Sequence, residues 1–368
     1  MERLLSRRHA IQTLAFAAPA GAVSNSLRSA PVPEEGRDTP KIALELSAGQ
    51  LSAAGVDQAG MQRVKQLGVN HVFCGGPKIP WTEADVRERI SLYKSGGLTL
   101  GNMMISGFPN TIYGRPGRDE EIDKVRASIR AAGKAGLPVI EYNFYAHRIV
   151  EGYYAEKGRA NSGWTAFDYD RVKDLPPLPE EGAHTLDEMW SNITYFLKAV
   201  VPVAQESNVR LALHPNDPPA PISRGSQQIM SFLDGWKKLI TIVDSPSNGI
   251  TFDCGVTTEL GEDAVEVCRY FASRDRINHV HFRNVRVTRP REKYVEVAPD
   301  EGVVDMLGVM KELVRHKYAR LVNPEHPRAL DYDLEHPGFR TYYPGGGGYA
   351  AYAFNVGYTR AMLQAALR

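Results

Sequence analysis

The chain has 368 residues, 43% hydrophobic and 24% charged, with a net charge of +1. That balance suits a globular enzyme with a sizeable core, and it leaves no basic face for nucleic acid. No apolar run is long enough to span a bilayer as a mature helix.

The chain opens on "MERLLSRRHAIQTLAFAAPAGAVS", a basic start with paired Arg7 and Arg8, an apolar stretch and then small residues. This pattern predicts a Tat-type export signal over residues 1–22 and a periplasmic location. A leader without that function would leave the protein in the cytoplasm. Residues 23–39, rich in Ser, Pro and charge, read as a flexible spacer before one catalytic domain over 40–368. Cys74, Cys254 and Cys268 show no CxxC spacing and no disulfide framework, so each reads as a buried thiol.

From there the sequence repeats one unit. Short β-rich runs are predicted at 41–47, 69–76, 99–106, 138–144, 210–215, 249–255, 277–284 and 320–327. Helical spacing of apolar residues follows each, at 57–67, 82–96, 118–135, 185–206, 226–243, 260–273, 303–317 and 350–367. Thr82 with Asp85, and Thr185 with Glu188, mark two of the helix starts as capping boxes. Eight strands each followed by a helix predict a (β/α)8 TIM barrel. The segment 145–184 is too long for a plain connection and is expected to cover the barrel mouth as a lid or substrate loop, and 328–348 reads as an inserted loop.

Alternate residues of a barrel strand face the interior, and catalytic groups gather at the strands' carboxyl ends. In "RLALHP" His214 opposes Leu211 and Leu213, and in "INHVHFRN" His279 and His281 oppose Val280 and Phe282. In "GITFDC" Asp253 shares a face with Thr251, while Cys254 goes with Ile250 and Phe252. In "RLVNPE" Leu321, Asn323 and Glu325 share a face. If the bulky apolar rows pack on the helices, His214, Asp253, His281 and Glu325 converge on one mouth. Two imidazoles and two carboxylates suit a divalent ion such as Mn²⁺, Fe²⁺, Co²⁺, Mg²⁺ or Zn²⁺. A bulge that shifted one strand's parity would put Cys254 in place of Asp253.

The blocks "ALHPNDPP" (212–219), "NGITF" (248–252), "HVHFRNV" (279–285), "DEGVVDMLGVMKEL" (300–313) and "NPEHP" (323–327) resemble, in order, the signature blocks of mannonate dehydratases. The resemblance runs from about residue 41 to the C-terminus. It implies a xylose-isomerase-like barrel that converts D-mannonate to 2-keto-3-deoxy-D-gluconate with Mn²⁺ or Fe²⁺, within glucuronate catabolism. It also implies a homo-oligomer acting on a small-molecule sugar acid. The family's metal ligands fall on His214, Asp253, His281 and Glu325; the family has Cys at the second place and Asp at the fourth. Its acid/base pair falls on His326 and Tyr349.

Asn143, His147 and Arg283 are expected to contact substrate oxygens, and Arg148 to reach them from the lid. Two other readings use the same residues. A metal-dependent sugar isomerase or epimerase would employ Glu141, also inward by parity, beside Asp253. An exported sugar-acid binding protein would bind ligand without turnover.

Overall fold

The computed structural model describes residues 35–47, 56–336, 341 and 343–368. The proposed export signal, the spacer up to residue 34, and residues 337–340 and 342 of the second long loop lie outside the described residues. The strands in chain order are β1 (Lys41–Glu45), β2 (His71–Gly75), β3 (Thr99–Ile105), β4 (Val139–Tyr142), β5 (Tyr153–Lys157), β6 (Gly163–Asp168) and β7 (Arg210–Leu213). They continue as β8 (Ile222–Ser223), β9 (Ser226–Gln227), β10 (Asn248–Asp253), β11 (Ile277–His281), β12 (Asn284–Arg289), β13 (Lys293–Val297) and β14 (Leu321–Asn323).

Eight of these close a parallel barrel in the order β1-β14-β11-β10-β7-β4-β3-β2. Each is one of the runs read from the sequence. All residues of β10 and β11 are buried, as expected of strands covered on both faces. Ile250, Phe252 and Val280 join the main apolar core, each with no exposed surface. Burying such a side chain contributes about 1.5–3 kcal/mol. A slip by one residue would therefore exchange these groups with Asp253 and His281 at large cost, and the apolar row thus sets the phase of the polar one. The register pairs Asp253 with His281 and His281 with Asn323, bringing three strand ends level.

The helices start where the capping residues predict. Thr82 with Asp85 and Thr185 with Glu188 each form reciprocal capping boxes. The predicted helix at 226–243 is shorter, covering Leu233–Ile242. Its first residues instead form a hairpin between β8 and β9, turned by Arg224 (φ 44°) and Gly225 (φ 81°). Two consecutive left-handed residues are what a tight two-residue hairpin requires.

The segment 145–184 carries β5 and β6, and these join β12 and β13 in a separate antiparallel sheet of order β12-β13-β6-β5. The hairpin of β12 and β13 was not among the predicted elements, although "NVRVTRPREKYVEV" alternates as a half-buried hairpin should. A second apolar cluster, including Ile149, Tyr153, Phe167 and Tyr294, holds this sheet to the adjoining loops. Among the described residues, no helix is long and apolar enough to cross a membrane.

Candidate metal centre and active site

A cavity is lined by the ends of the barrel strands, with Glu45, Phe73, Met104, Glu141 and Asn143 on one side. His214, Asp217, His281, Glu325 and His326 form the other, with Arg148, Tyr343 and Tyr352 also in its wall. The four expected ligand residues stand together. The Nε2 of His214 lies 3.0 Å from the Nδ1 of His281. That same Nδ1 is 3.0 Å from Oε2 of Glu325 and 4.0 Å from Oδ2 of Asp253. Donors about 2.1 Å from an octahedral ion sit about 3.0 Å apart when adjacent and about 4.2 Å apart when opposite. The separations measured from His281 fall within that span, and ligand atoms of His214, Asp253 and His281 all lie within 4.8 Å of one another, a spacing that suits one divalent cation with Glu325 beside His281.

Their charges suit the same task. The Nδ1 of His214 donates to the Pro215 carbonyl at 2.7 Å, which turns an unprotonated Nε2 toward His281. Burial and the neighbouring His281 charge lower its pKa to about 3, so the ring is held neutral. At His281 burial opposes the charged form, but the carboxylates of Glu325 and Glu141 outweigh it and raise the pKa to about 9. Asp253 is pushed up to about 7 by burial, against the pull of Arg283. Burial acts upward on Glu325 too, yet His281 and His326 hold it well below the ordinary carboxylate range. A divalent cation would take over the charge balance that these mutual contacts maintain.

Cys254 lies on the other side of the strand end. It begins the short helix Cys254–Glu259, and its Sγ lies 3.2 Å from the Arg283 carbonyl and 3.5 Å from that of His281. Burial pushes its thiol pKa up strongly, which keeps the sulfur protonated. The residue turned toward the imidazoles is Asp253, and the bulge that would have substituted Cys254 is absent at this position: the only register shift between β10 and β11 falls at Ile250 and Thr251.

Arg283 takes a different place from the expected one. It is 3% exposed and is not part of the cavity wall. Its Nε lies 3.0 Å from Asp253 and 3.2 Å from Glu325, and its Nη1 is 2.6 Å from Glu259. A guanidinium presents several donors in a rigid fork, so it fixes the two ligand carboxylates from behind instead of reaching substrate. His147 also turns aside, its Nδ1 2.8 Å from Glu181 and its Nε2 3.2 Å from Glu151. Asn143 does line the cavity.

Tyr349 does not join the site. It starts the last helix, and its hydroxyl lies 3.3 Å from the Arg63 carbonyl and from Gln66 Oε1, on the outer helix Gln58–Gln66. The phenol in the cavity beside His326 is Tyr343, with ring centroids 5.0 Å apart. It comes from the long loop that precedes Tyr349, so the added residues carry a different tyrosine inward. Arg148, whose side chain is 27% exposed, donates from Nη1 to the Tyr343 oxygen at 2.5 Å and from Nη2 to Asp217 at 3.1 Å. Asp217 is in turn held by Tyr153 at 2.7 Å. Neither Tyr343 nor Asp217 was singled out from the sequence. The one available signal was "HPNDPP", whose Asp217 follows His214 closely.

A closed parallel barrel with two imidazoles and two carboxylates at its carboxyl rim defines a xylose-isomerase-like protein built for a divalent metal. Solved barrels of that kind share the fold: a xylose-isomerase-like protein from Mycobacterium smegmatis in complex with magnesium superposes with a TM-score of 0.55 at 13% identity, over 90% of this chain and 98% of that one. The profile of the D-mannonate dehydratase family (UxuA) matches residues 163–350. The mannonate dehydratase of Thermotoga maritima is 31% identical over 78% of this chain and 90% of its own length. That of Enterococcus faecalis is 28% identical over 71% and 82%. The crystal structure of mannonate dehydratase from Streptococcus suis serotype 2 superposes with a TM-score of 0.77 at 25% identity, covering 89% of this chain and 95% of that one. The chain belongs to the D-mannonate dehydratase family, whose members are hydro-lyases.

Proposed function

We propose that this protein dehydrates D-mannonate, or a sugar acid of closely similar shape, to 2-keto-3-deoxy-D-gluconate. The supporting observation is the meeting of His214, His281 and Glu325 beside His326 in the wall of one cavity, with the buried Asp253 next to His281, in a chain from this family. His214, Asp253, His281 and Glu325 are the residues that would hold the ion, and the mixed nitrogen and oxygen set suits Mn²⁺ or Fe²⁺. A divalent ion supplies Lewis-acid polarisation of the substrate carboxylate and stabilises the negative charge that follows proton loss.

The remaining work belongs to side chains. The reaction breaks the C2–H bond, moves that electron pair toward C3, and expels the C3 hydroxyl as water once it gains a proton. The resulting enol then takes up a proton and becomes the 2-keto acid, so one water is lost overall. One group must accept the C2 proton and another must protonate the leaving hydroxyl. We assign these roles to His326 and Tyr343, which stand side by side in the cavity wall. We assign Arg148 and Asn143, both in the cavity wall, to substrate oxygens, and Arg283 to orienting Asp253 and Glu325. The same metal cradle could serve a sugar isomerase, so the products decide. Purified protein loaded with Mn²⁺ or Fe²⁺ is expected to convert D-mannonate to a product lighter by one water and positive in a 2-keto-3-deoxy acid assay. A product of unchanged mass, or turnover of ketoses instead, would reject the reading. For residues 1–22 we retain the export reading, which cell fractionation tests directly.

A further inference from the structure

His326 has an unusual backbone. It is a non-glycine residue with φ of 45°, in the left-handed region that a side-chain-bearing residue seldom adopts. Such strain persists only where surrounding contacts over-determine it, and it concentrates at functional positions. Here the contacts come from the antiparallel sheet. Glu296 of β13, 2% exposed, places Oε2 2.8 Å from Nδ1 of His326. The same oxygen is 3.2 Å from Nη2 of Arg328. Arg328 donates from Nε to the His326 carbonyl at 2.7 Å and from Nη1 to Thr165. Thr165 lies on β6, directly opposite Glu296 in the sheet register. Two neighbouring strands of the sheet therefore grip both the ring and the main chain of His326.

We propose that Glu296 is the positioning residue for His326, holding the ring through a hydrogen bond at Nδ1 so that Nε2 faces the cavity. The proposal rests on the reading of His326 as an acid/base group. An ionised carboxylate only accepts hydrogen bonds, so the nitrogen facing Glu296 must be an N–H. Nε2 lies 3.8 Å from Oε2 of Glu325, on the metal-ligand side of the ring. With Nδ1 engaged by Glu296, Nε2 is the ring nitrogen left for substrate. The antiparallel sheet is then part of the active site and not merely a cover.

The test combines two readouts. In the parent protein labelled with ¹⁵N-histidine and loaded with diamagnetic Mg²⁺ or Zn²⁺, the His326 ring is expected to show a proton on Nδ1; a neutral ring protonated on Nε2 alone overturns the proposal. This measurement needs no turnover, so it still decides the matter if the parent fails to dehydrate any sugar acid and the functional reading falls. In Glu296→Gln, where the amide can offer N–H to Nδ1 and invert the tautomer, kcat is expected to fall about 100-fold or more. KM and bound metal are expected to stay within about threefold of the parent. The double variant with His326→Asn should be no slower than His326→Asn alone. Turnover of Glu296→Gln within about threefold of the parent overturns the proposal. So does a loss in which KM, bound metal and melting temperature all change together, because that marks a general structural role.

Discussion

The Nε2 of His214 and the Nδ1 of His281 face each other at 3.0 Å, from residues 67 apart in the chain. Both nitrogens point to one spot, and Glu325 reaches the same spot from β14's end. Metal loading is therefore expected to stabilise the folded protein, since an ion that binds only the native state adds about 4 kcal/mol at a thousandfold excess over Kd. Protein stripped with a chelator should show a lower Tm, restored by Mn²⁺. His214→Ala and His281→Ala should bind less than a tenth of the parent's metal, measured by elemental analysis, and show no such shift. Full metal content in either variant would remove the site.

Asp253 and Cys254 should separate cleanly. Asp253→Ala is expected to lose metal, whereas Cys254→Ser should keep the full stoichiometry because its sulfur faces backbone carbonyls. The serine variant is expected to cost about 1 kcal/mol, read from denaturant unfolding, as for other modest core changes. Metal loss in Cys254→Ser with retention in Asp253→Ala would reverse the assignment.

The tyrosines give a similar pair. Tyr343→Phe should lower kcat about 100-fold with little change in bound metal, as expected on losing a general acid or base. Tyr349→Phe should remain within about threefold of the parent, since its hydroxyl serves a helix–helix contact outside the cavity. Steady-state kinetics on the two variants decides, and the opposite ranking would restore Tyr349.

Asp217 sets an acid limit on stability. Burial works to raise its pKa, but Arg283 and Arg148 outweigh it and hold the folded value below the ordinary one. A depressed folded pKa contributes stability in full above the unfolded value of about 3.9, and that contribution is lost as pH falls through the folded value. Asp217→Asn is therefore expected to be destabilised by about 3–5 kcal/mol near neutral pH, the range for breaking one side of a buried ion pair. The gap to the parent should narrow below about pH 4, in denaturant titrations of metal-free protein. A gap of constant size down to about pH 3 would show that the ion pair is not its source.

Sequence alone determined the barrel and the inward face that carries the proposed metal ligands, because both follow from local periodicity. The alternation of apolar and polar residues in "GITFDC" and "INHVH" is enough to turn Asp253 and His281 inward, since burying Phe252 and Val280 on the helix side leaves no other phase. The capping residues Thr82 and Thr185 act within a single turn and were legible for the same reason.

Only the tertiary structure decided which groups surround the metal cradle. Glu296 reaches His326 from a hairpin 30 residues away, and Arg148 reaches Tyr343 across 195 residues. Such contacts depend on how long loops pack over the mouth, which no short-range pattern encodes. The long loop before the last helix carries Tyr343 into the cavity wall while Tyr349 packs on an outer helix, and the carboxylates of Asp253, Glu259 and Glu325 hold Arg283 out of that wall. Where a buried charge goes is settled by the partners that can compensate it, and these are assembled only when the chain has folded.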